Sequence, residues 1–232
     1  MPATTPNSAF WTGFRDGLPF LLVLLPFGIL FGVTATEAGL NLVEAMMFTI
    51  VVIAGASQFS ALQLMSDHAP TLIVLATALA VNLRMAMYSA SLTPYLGQAT
   101  LWQRALISYF LVDATYACAI GRFEGNPGWT LPARLGYFAG TVVAVCPAWY
   151  ALTLVGALIG SAIPAWLALD FAVPICFLAM IGPMLRTVAH LAAALTSVTL
   201  ALALAFIPYS MGLLIAALVA MMVGAFVETR TS

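Results

Sequence analysis

The sequence predicts an all-α fold: a polytopic transmembrane helical bundle of about eight spanning helices, with seven as the alternative count and with some helices broken by Pro or Gly. Hydrophobic residues fill 63% of the 232 positions and charged residues only 6%, whereas a soluble domain carries about a quarter charged residues. The apolar residues gather into runs close to the roughly 20 residues that cross a bilayer. No run shows the period-two alternation of a membrane barrel strand.

The first run, near 18–36, holds Pro19, Pro26, Gly28 and Gly32; the second, near 44–65, holds Gly55-Ala56-Ser57-Gln58-Phe59. The third, near 70–92, carries Asn82-Leu83-Arg84 and Tyr88, and the fourth, near 104–120, carries Tyr109, Asp113 and Tyr116. A fifth follows near 136–159, with Pro147 and two GxxxG spacings, Gly136 with Gly140 and Gly156 with Gly160. The remaining runs lie near 169–185, with Asp170 and Pro174, near 187–206, with His190, and near 209–227. Between 169 and 206 only Gly182-Pro183 interrupts the chain, so those two pieces read as a short pair or as one re-entrant hairpin. Prolines inside such runs remove an amide donor and free a carbonyl, and helix breaks are expected at Pro26 and Pro174.

The loops are too short to house a soluble domain, so residues 1–232 read as one transmembrane permease domain, with 1–16 as a short cytoplasmic amino terminus. That terminus has no basic region followed by a cleavable apolar core. With it inside, Arg15, Arg122, Arg134, Arg186 and Arg230 fall on the cytoplasmic side and Arg104 alone outside, as the positive-inside rule favours. A net charge of −1 and no lysine leave no footprint for nucleic acid and no polybasic patch for anionic headgroups. Cys118, Cys146 and Cys176 match no metal or redox spacing. No P-loop and no HExxH zinc motif is present, and neither a cofactor nor a metal is expected.

Chemistry must therefore lie in the helices. Small residues followed by Ser57 and Gln58 suit an unwound stretch that offers backbone amides and side-chain donors to a carboxylate; equally, the two side chains could act as interhelical glue. Arg84 and Tyr88, four apart, share a helix face. Arg84 either binds a ligand or snorkels toward headgroups. Asp113, inside the fourth run with Tyr109 and Tyr116 on its stripe, is a candidate to pair with Arg84 or to carry a proton. Asp170 precedes Pro174, which leaves its carbonyl open, though an Asp there also suits a helix cap. His190 shares a face with Arg186 and is either a proton relay or a hydrogen-bonded structural group. A faint internal repeat pairs Pro26 and Gly32 with Pro147 and Gly156, Ser57 and Gln58 with Asp170 and Pro174, and Arg84 with Arg186 and His190. Four runs separate corresponding members, which implies parallel copies.

Phe14-Arg15-Asp16-Gly17 before Pro19, Pro26-Phe27-Gly28, Gly55-Ala56-Ser57-Gln58-Phe59, Asn82-Leu83-Arg84 with Tyr88, and Leu169-Asp170-Phe171-Ala172-Val173-Pro174 resemble, in order and spacing, the AzlC-like branched-chain amino-acid exporters. The resemblance runs from about Ala9 to Arg186. It implies the large permease subunit of a two-component secondary transporter in the inner membrane, working with a small AzlD-like membrane subunit to export valine, leucine, isoleucine and, in some members, methionine. The family often follows the fourth-helix Asp with Glu, where this chain has Ala114. The competing readings are an intramembrane enzyme built on Asp113 and Asp170, whose contexts lack the aspartyl-protease signals, and a scaffold subunit that does not transport.

Overall fold

The computed structural model describes residues 5–160, 185, 187–207 and 211–231. Among them no strand occurs and nearly every residue is helical, as expected of a chain that must satisfy its backbone internally within lipid. The sixth expected run, with Asp170, Pro174 and Gly182-Pro183, lies outside the described residues, as does Arg186. The chain divides into two compact units, residues 1–59 with 81–169 and residues 60–80 with 170–232. Three of the described helical stretches are long and apolar enough to cross a membrane: Pro6–Glu37, Thr71–Leu96 and Leu131–Gly160.

In the first unit, α1 (Pro6–Gly17), a 3-10 turn (Leu18–Phe20) and α2 (Leu21–Glu37) follow one another as a 32-residue stretch. Thr5 caps its start by accepting from the Ser8 amide at 3.3 Å, with Pro6 in the first turn, where no amide partner is needed. Pro26 does not break α2, contrary to expectation. It lies early in the helix, so only the carbonyl of Leu22, in the first turn, loses its partner, and packing carries the helix onward.

That packing is against α8 (Leu131–Gly160), which runs parallel to α1 and α2. The Pro6 and Phe10 carbonyls of α1 meet Gly136 and Gly140, and farther along the Ile29 carbonyl of α2 meets Gly156. A Cβ at Gly140 or Gly156 would overlap those oxygens, so both GxxxG spacings in α8 work as close-approach faces. Pro147 sits within α8 without interrupting it.

Two of the expected spans are interrupted. The second divides into α3 (Leu42–Val52) and α4 (Gly55–Ser66), separated by Ile53 and Ala54. Phe48 and Phe59 both set their rings edge-on to Phe31, at 5.7 and 5.5 Å. Eleven residues of straight helix would part them by about 16 Å, so the chain turns sharply at the break.

The fourth expected span divides into α6 (Leu101–Tyr109) and α7 (Asp113–Glu124). Its path differs from a crossing helix. Along α5 (Thr71–Leu96), Arg84 meets Asp113, Tyr88 stacks on Tyr116 and Tyr95 lies against Phe123, so α5 and α7 run parallel. The connection 97–100 then starts α6 at the end of α5 where α7 finishes, and Arg134 bonds both the Tyr95 and the Pro127 carbonyls there. Residues 101–124 are thus a re-entrant hairpin, each arm spanning about half of a ~30 Å hydrocarbon layer. Its break is built by the buried Thr115 hydroxyl, which accepts from the Val112 amide at 2.9 Å and donates to the Phe110 carbonyl at 2.8 Å. Arg104, expected outside, consequently lies at the same end as Arg122 and Arg134.

In the second unit, α9 (Val188–Ala203) and α10 (Met211–Thr231) pair antiparallel, with Gly224 facing Ala193 and Gly212 facing Leu204. Thr187 caps α9 by accepting from the His190 amide at 3.2 Å.

Candidate functional site

The candidate residues gather at two interruptions in the first unit, which one hydrogen bond, from Tyr109 to Ile50, ties together. At the first, Ile53 adopts a left-handed conformation, φ 39° and ψ 35°, and ends α3. The first intrahelical bond of α4 is Gln58 N–H to the Ala54 carbonyl, at 2.9 Å. The amides before it therefore form the amino end of a half-helix, carrying partial positive charge. Ser57 and Gln58 lie in this first turn, both wholly buried. The Ser57 hydroxyl and both polar atoms of the Gln58 amide have no hydrogen-bond partner. Orphans of this kind are rare in folded proteins because each costs about 1–3 kcal/mol. Gly55 lies under the indole of Trp149, where a Cβ would stand 3.2 Å from Cη2.

The second interruption carries the charge. Asp113 opens α7, an acidic residue at a helix amino terminus, where the dipole favours it. The expectation that it lies well inside a helix fails because the chain breaks immediately before it. Arg84 reaches it at 3.2 Å and the Tyr88 hydroxyl donates to it at 2.9 Å, so the face shared by Arg84 and Tyr88 is directed at this carboxylate. Tyr88 in turn stacks on Tyr116, centroids 4.1 Å apart and planes 8° off parallel, and the Tyr116 hydroxyl meets Ser91 at 3.1 Å. One Arg84 nitrogen remains unused: Nε is buried without a partner, as is the Asn82 side-chain oxygen.

Tyr109 joins the two interruptions. Its hydroxyl donates to the Ile50 carbonyl in the last turn of α3 and meets the Tyr150 hydroxyl of α8 at 3.1 Å. The break at 110–112 removes Tyr109 from the stripe it was expected to share with Asp113 and Tyr116. Gln58 and Arg84 share no hydrogen bond. The first interruption presents half-helix amides with Ser57 and Gln58, and the second presents a guanidinium held by Asp113.

Of the other residues singled out, Pro26 lies inside a continuous helix and His190 is exposed in the first turn of α9, in the second unit. Asp170 and Pro174 lie outside the described residues. Among the described residues no group of three or more His, Cys, Asp and Glu could hold a metal ion.

Sequence reasoning passed over Trp149 and Thr49, which read as ordinary members of apolar helices, and also a second ionic cluster. Asp16 receives Arg122 through Nη2 at 2.6 Å and Nε at 3.2 Å, and Tyr137 at 2.7 Å. These residues line an open concavity of about 390 Å³ together with Cys118 and Asn126. The available signal was Phe14-Arg15-Asp16-Gly17, read only as part of a resemblance.

The AzlC family model, described as AzlC protein, matches residues 19–163, a stretch that holds both interruptions, Arg84, Asp113 and the whole of α8. The chain belongs to the AzlC family. It is similar to the Escherichia coli K12 inner membrane protein YgaZ, 28% identical over 78% of this chain and 75% of the relative. An uncharacterized membrane protein of Archaeoglobus fulgidus is 29% identical over 94% of this chain and 95% of its own length. An uncharacterized membrane protein of Helicobacter pylori strain 26695 is 30% identical over 47% of this chain and 49% of its own. No solved structure matches. As a member of the AzlC family the chain is a membrane protein of a transport family, and its apolar helices fit that place.

Proposed function

We propose that this AzlC protein is the large permease subunit of a two-component secondary transporter that exports branched-chain amino acids, valine, leucine and isoleucine, and also methionine, across the inner membrane. The observation that carries the reading is Gln58, wholly buried with both polar atoms unmatched, beside the amino end of a half-helix. A zwitterionic substrate with an apolar side chain supplies what this place lacks. Its carboxylate takes the α4 amides, Ser57 and Gln58, with Arg84 as a second partner, and its side chain lies among aromatic and aliphatic groups. Gly55, Asn82 and Tyr88 complete the binding set.

Arg84 is held by Asp113 until a substrate carboxylate competes for it. Displacement frees Asp113 to take a proton, which links export to the proton gradient, with Asp170 and His190 as further candidates for the same path. The family resemblance supplies the partner, a small AzlD-like membrane subunit, and the amino terminus is cytoplasmic in this reading. The gathering of Arg104, Arg122 and Arg134 at one end of the first unit supports that orientation through the positive-inside rule.

Efflux of labelled valine, leucine, isoleucine and methionine from cells expressing the chain with its partner tests the assignment. Export of at least one is expected to accelerate; failure with all four rejects it. Purification in mild detergent is expected to bring down the small subunit, and a fully active single chain in vesicles rejects the two-component form.

A further inference from the structure

Helix α3 stops within Thr49-Ile50-Val51-Val52-Ile53-Ala54, a run with neither Gly nor Pro. Its β-branched residues and the Gly55 that follows weaken the helix here, but they do not by themselves fix which residue turns. Ile53 takes the left-handed conformation while 7% exposed. That conformation costs an L-residue about 1–2 kcal/mol and is an outlier for a β-branched side chain. Such strain persists only where the surroundings over-determine it.

Two side chains from other helices hold the turn before Ile53. In a continuous helix the Ile50 carbonyl would receive the Ala54 amide; here it receives the Tyr109 hydroxyl, with Tyr150 behind it. The Tyr109 bond occupies one lone pair of the carbonyl that the Ala54 amide would use and holds it turned toward α6. One residue earlier, Trp149 donates through Nε1 to the buried Thr49 hydroxyl at 2.8 Å, and that hydroxyl also meets Thr153 at 3.5 Å. The same indole covers the Cα of Gly55. One tryptophan thus touches both sides of the break, and a Cβ at 55 would press on its ring at 3.2 Å. Phe31, packed parallel to the indole at 6.4 Å, backs it.

We infer that Tyr109 and Trp149 are positioning residues that clamp the last turn of α3, hold Ile53 left-handed and thereby direct the amino end of α4, with Ser57 and Gln58, at the ligand. This rests on the reading of Ser57 and Gln58 as ligand-binding groups. Tyr109 stands on α6, so the clamp also makes the position of the α6–α7 hairpin a condition for keeping the break between α3 and α4 open.

The test reads the break without a ligand and the ligand separately. Hydrogen exchange by mass spectrometry on the full chain in lipid nanodiscs follows the amides of Ala54, Gly55 and Ser57, and equilibrium binding of labelled leucine follows the site. In Tyr109→Phe and in Trp149→Phe the helix is expected to close across Ile53. Exchange at Ala54, Gly55 and Ser57 slows about tenfold, the ratio that about 1.4 kcal/mol produces, and leucine binding weakens by a similar factor. Adding Ile53→Gly to either variant is expected to restore both readouts, because glycine enters the left-handed region without penalty; a merely structural role for the two aromatics predicts no such rescue. Unchanged exchange in both single variants, or no recovery on adding Ile53→Gly, overturns the inference. If the parent does not bind leucine while exchange follows this pattern, the clamp stands and the substrate assignment falls. Should Trp149→Phe not fold, Tyr109→Phe, which removes one oxygen atom, carries the test alone.

Discussion

The Tyr109 hydroxyl donates to the Ile50 carbonyl, binding the last turn of α6 to the last turn of α3. Each of those turns ends at an interruption, so one hydrogen bond ties together the two places where helical bonding gives way. Next to one lie the unmatched Ser57 and Gln58; next to the other lies the Arg84–Asp113 pair. Half-helix ends brought together in this way suit a site that must hold a polar group inside an apolar bundle.

Arg84→Lys retains the positive charge but loses the planar fork that matches a carboxylate with two parallel donors. Export is expected to fall about ten- to a hundredfold, the range set by one charge-assisted hydrogen bond of about 1.5–3 kcal/mol. Efflux at saturating and at low internal substrate measures it. Parent-like transport would show that the guanidinium serves Asp113 alone.

Asp113→Asn keeps the shape and the Tyr88 contact while removing the charge. Export driven by an imposed pH gradient is expected to disappear, while exchange of labelled for unlabelled substrate continues. Both are measured in the same vesicles after insertion has been verified. Retained pH-driven export would move the proton to Asp170 or His190.

Gly156→Ala places a Cβ onto the Ile29 carbonyl and Gly121→Ala places one in open space. The first is expected to destabilise the fold by about 1–3 kcal/mol, the usual cost of overpacking. The second leaves it unchanged or slightly more stable. Thermal unfolding in detergent with matched lipid compares them.

Gln98→Cys and Gly128→Cys, each made in a chain whose native cysteines are replaced, sit on the connections before α6 and after α7. A membrane-impermeant thiol reagent is expected to label both from the same side of sealed vesicles. Labelling from opposite sides would mean that residues 101–124 cross the bilayer.

Asp16 takes both Arg122 and Tyr137 on one carboxylate oxygen. Asp16→Asn and Arg122→Gln are each expected to lower the unfolding midpoint, and the double variant to fall no further than the worse single one, since both remove one shared interaction. Independent, additive losses would show that the pair does not act as a unit.

Composition determined by itself that this chain is an all-α membrane protein, because residues this apolar can satisfy their backbone in lipid only within helices or closed barrels, and no run has a barrel strand's period. The GxxxG faces of α8 were legible for a similar reason: small residues one turn apart permit close approach whatever stands opposite. The pairing of Arg84 with Asp113 was legible as well, since an intramembrane charge needs a partner and few are available. Tertiary contacts decided whether a run continues or gives way at several places that its residues left open. Pro26 passes unbroken because α2 is held against α8. Ile53, at the end of a β-branched run before Gly55, is turned left-handed beside Tyr109 and Trp149, which come from distant segments; the Thr115 hydroxyl, by local bonds to residues 110 and 112, opens the chain before Asp113. Residues 101–124 therefore fold back as a hairpin although their composition matches a crossing helix. Local propensity differs by well under 1 kcal/mol per residue among ordinary side chains. A buried hydrogen bond or ring contact from another helix outweighs it, and no local pattern records that contact.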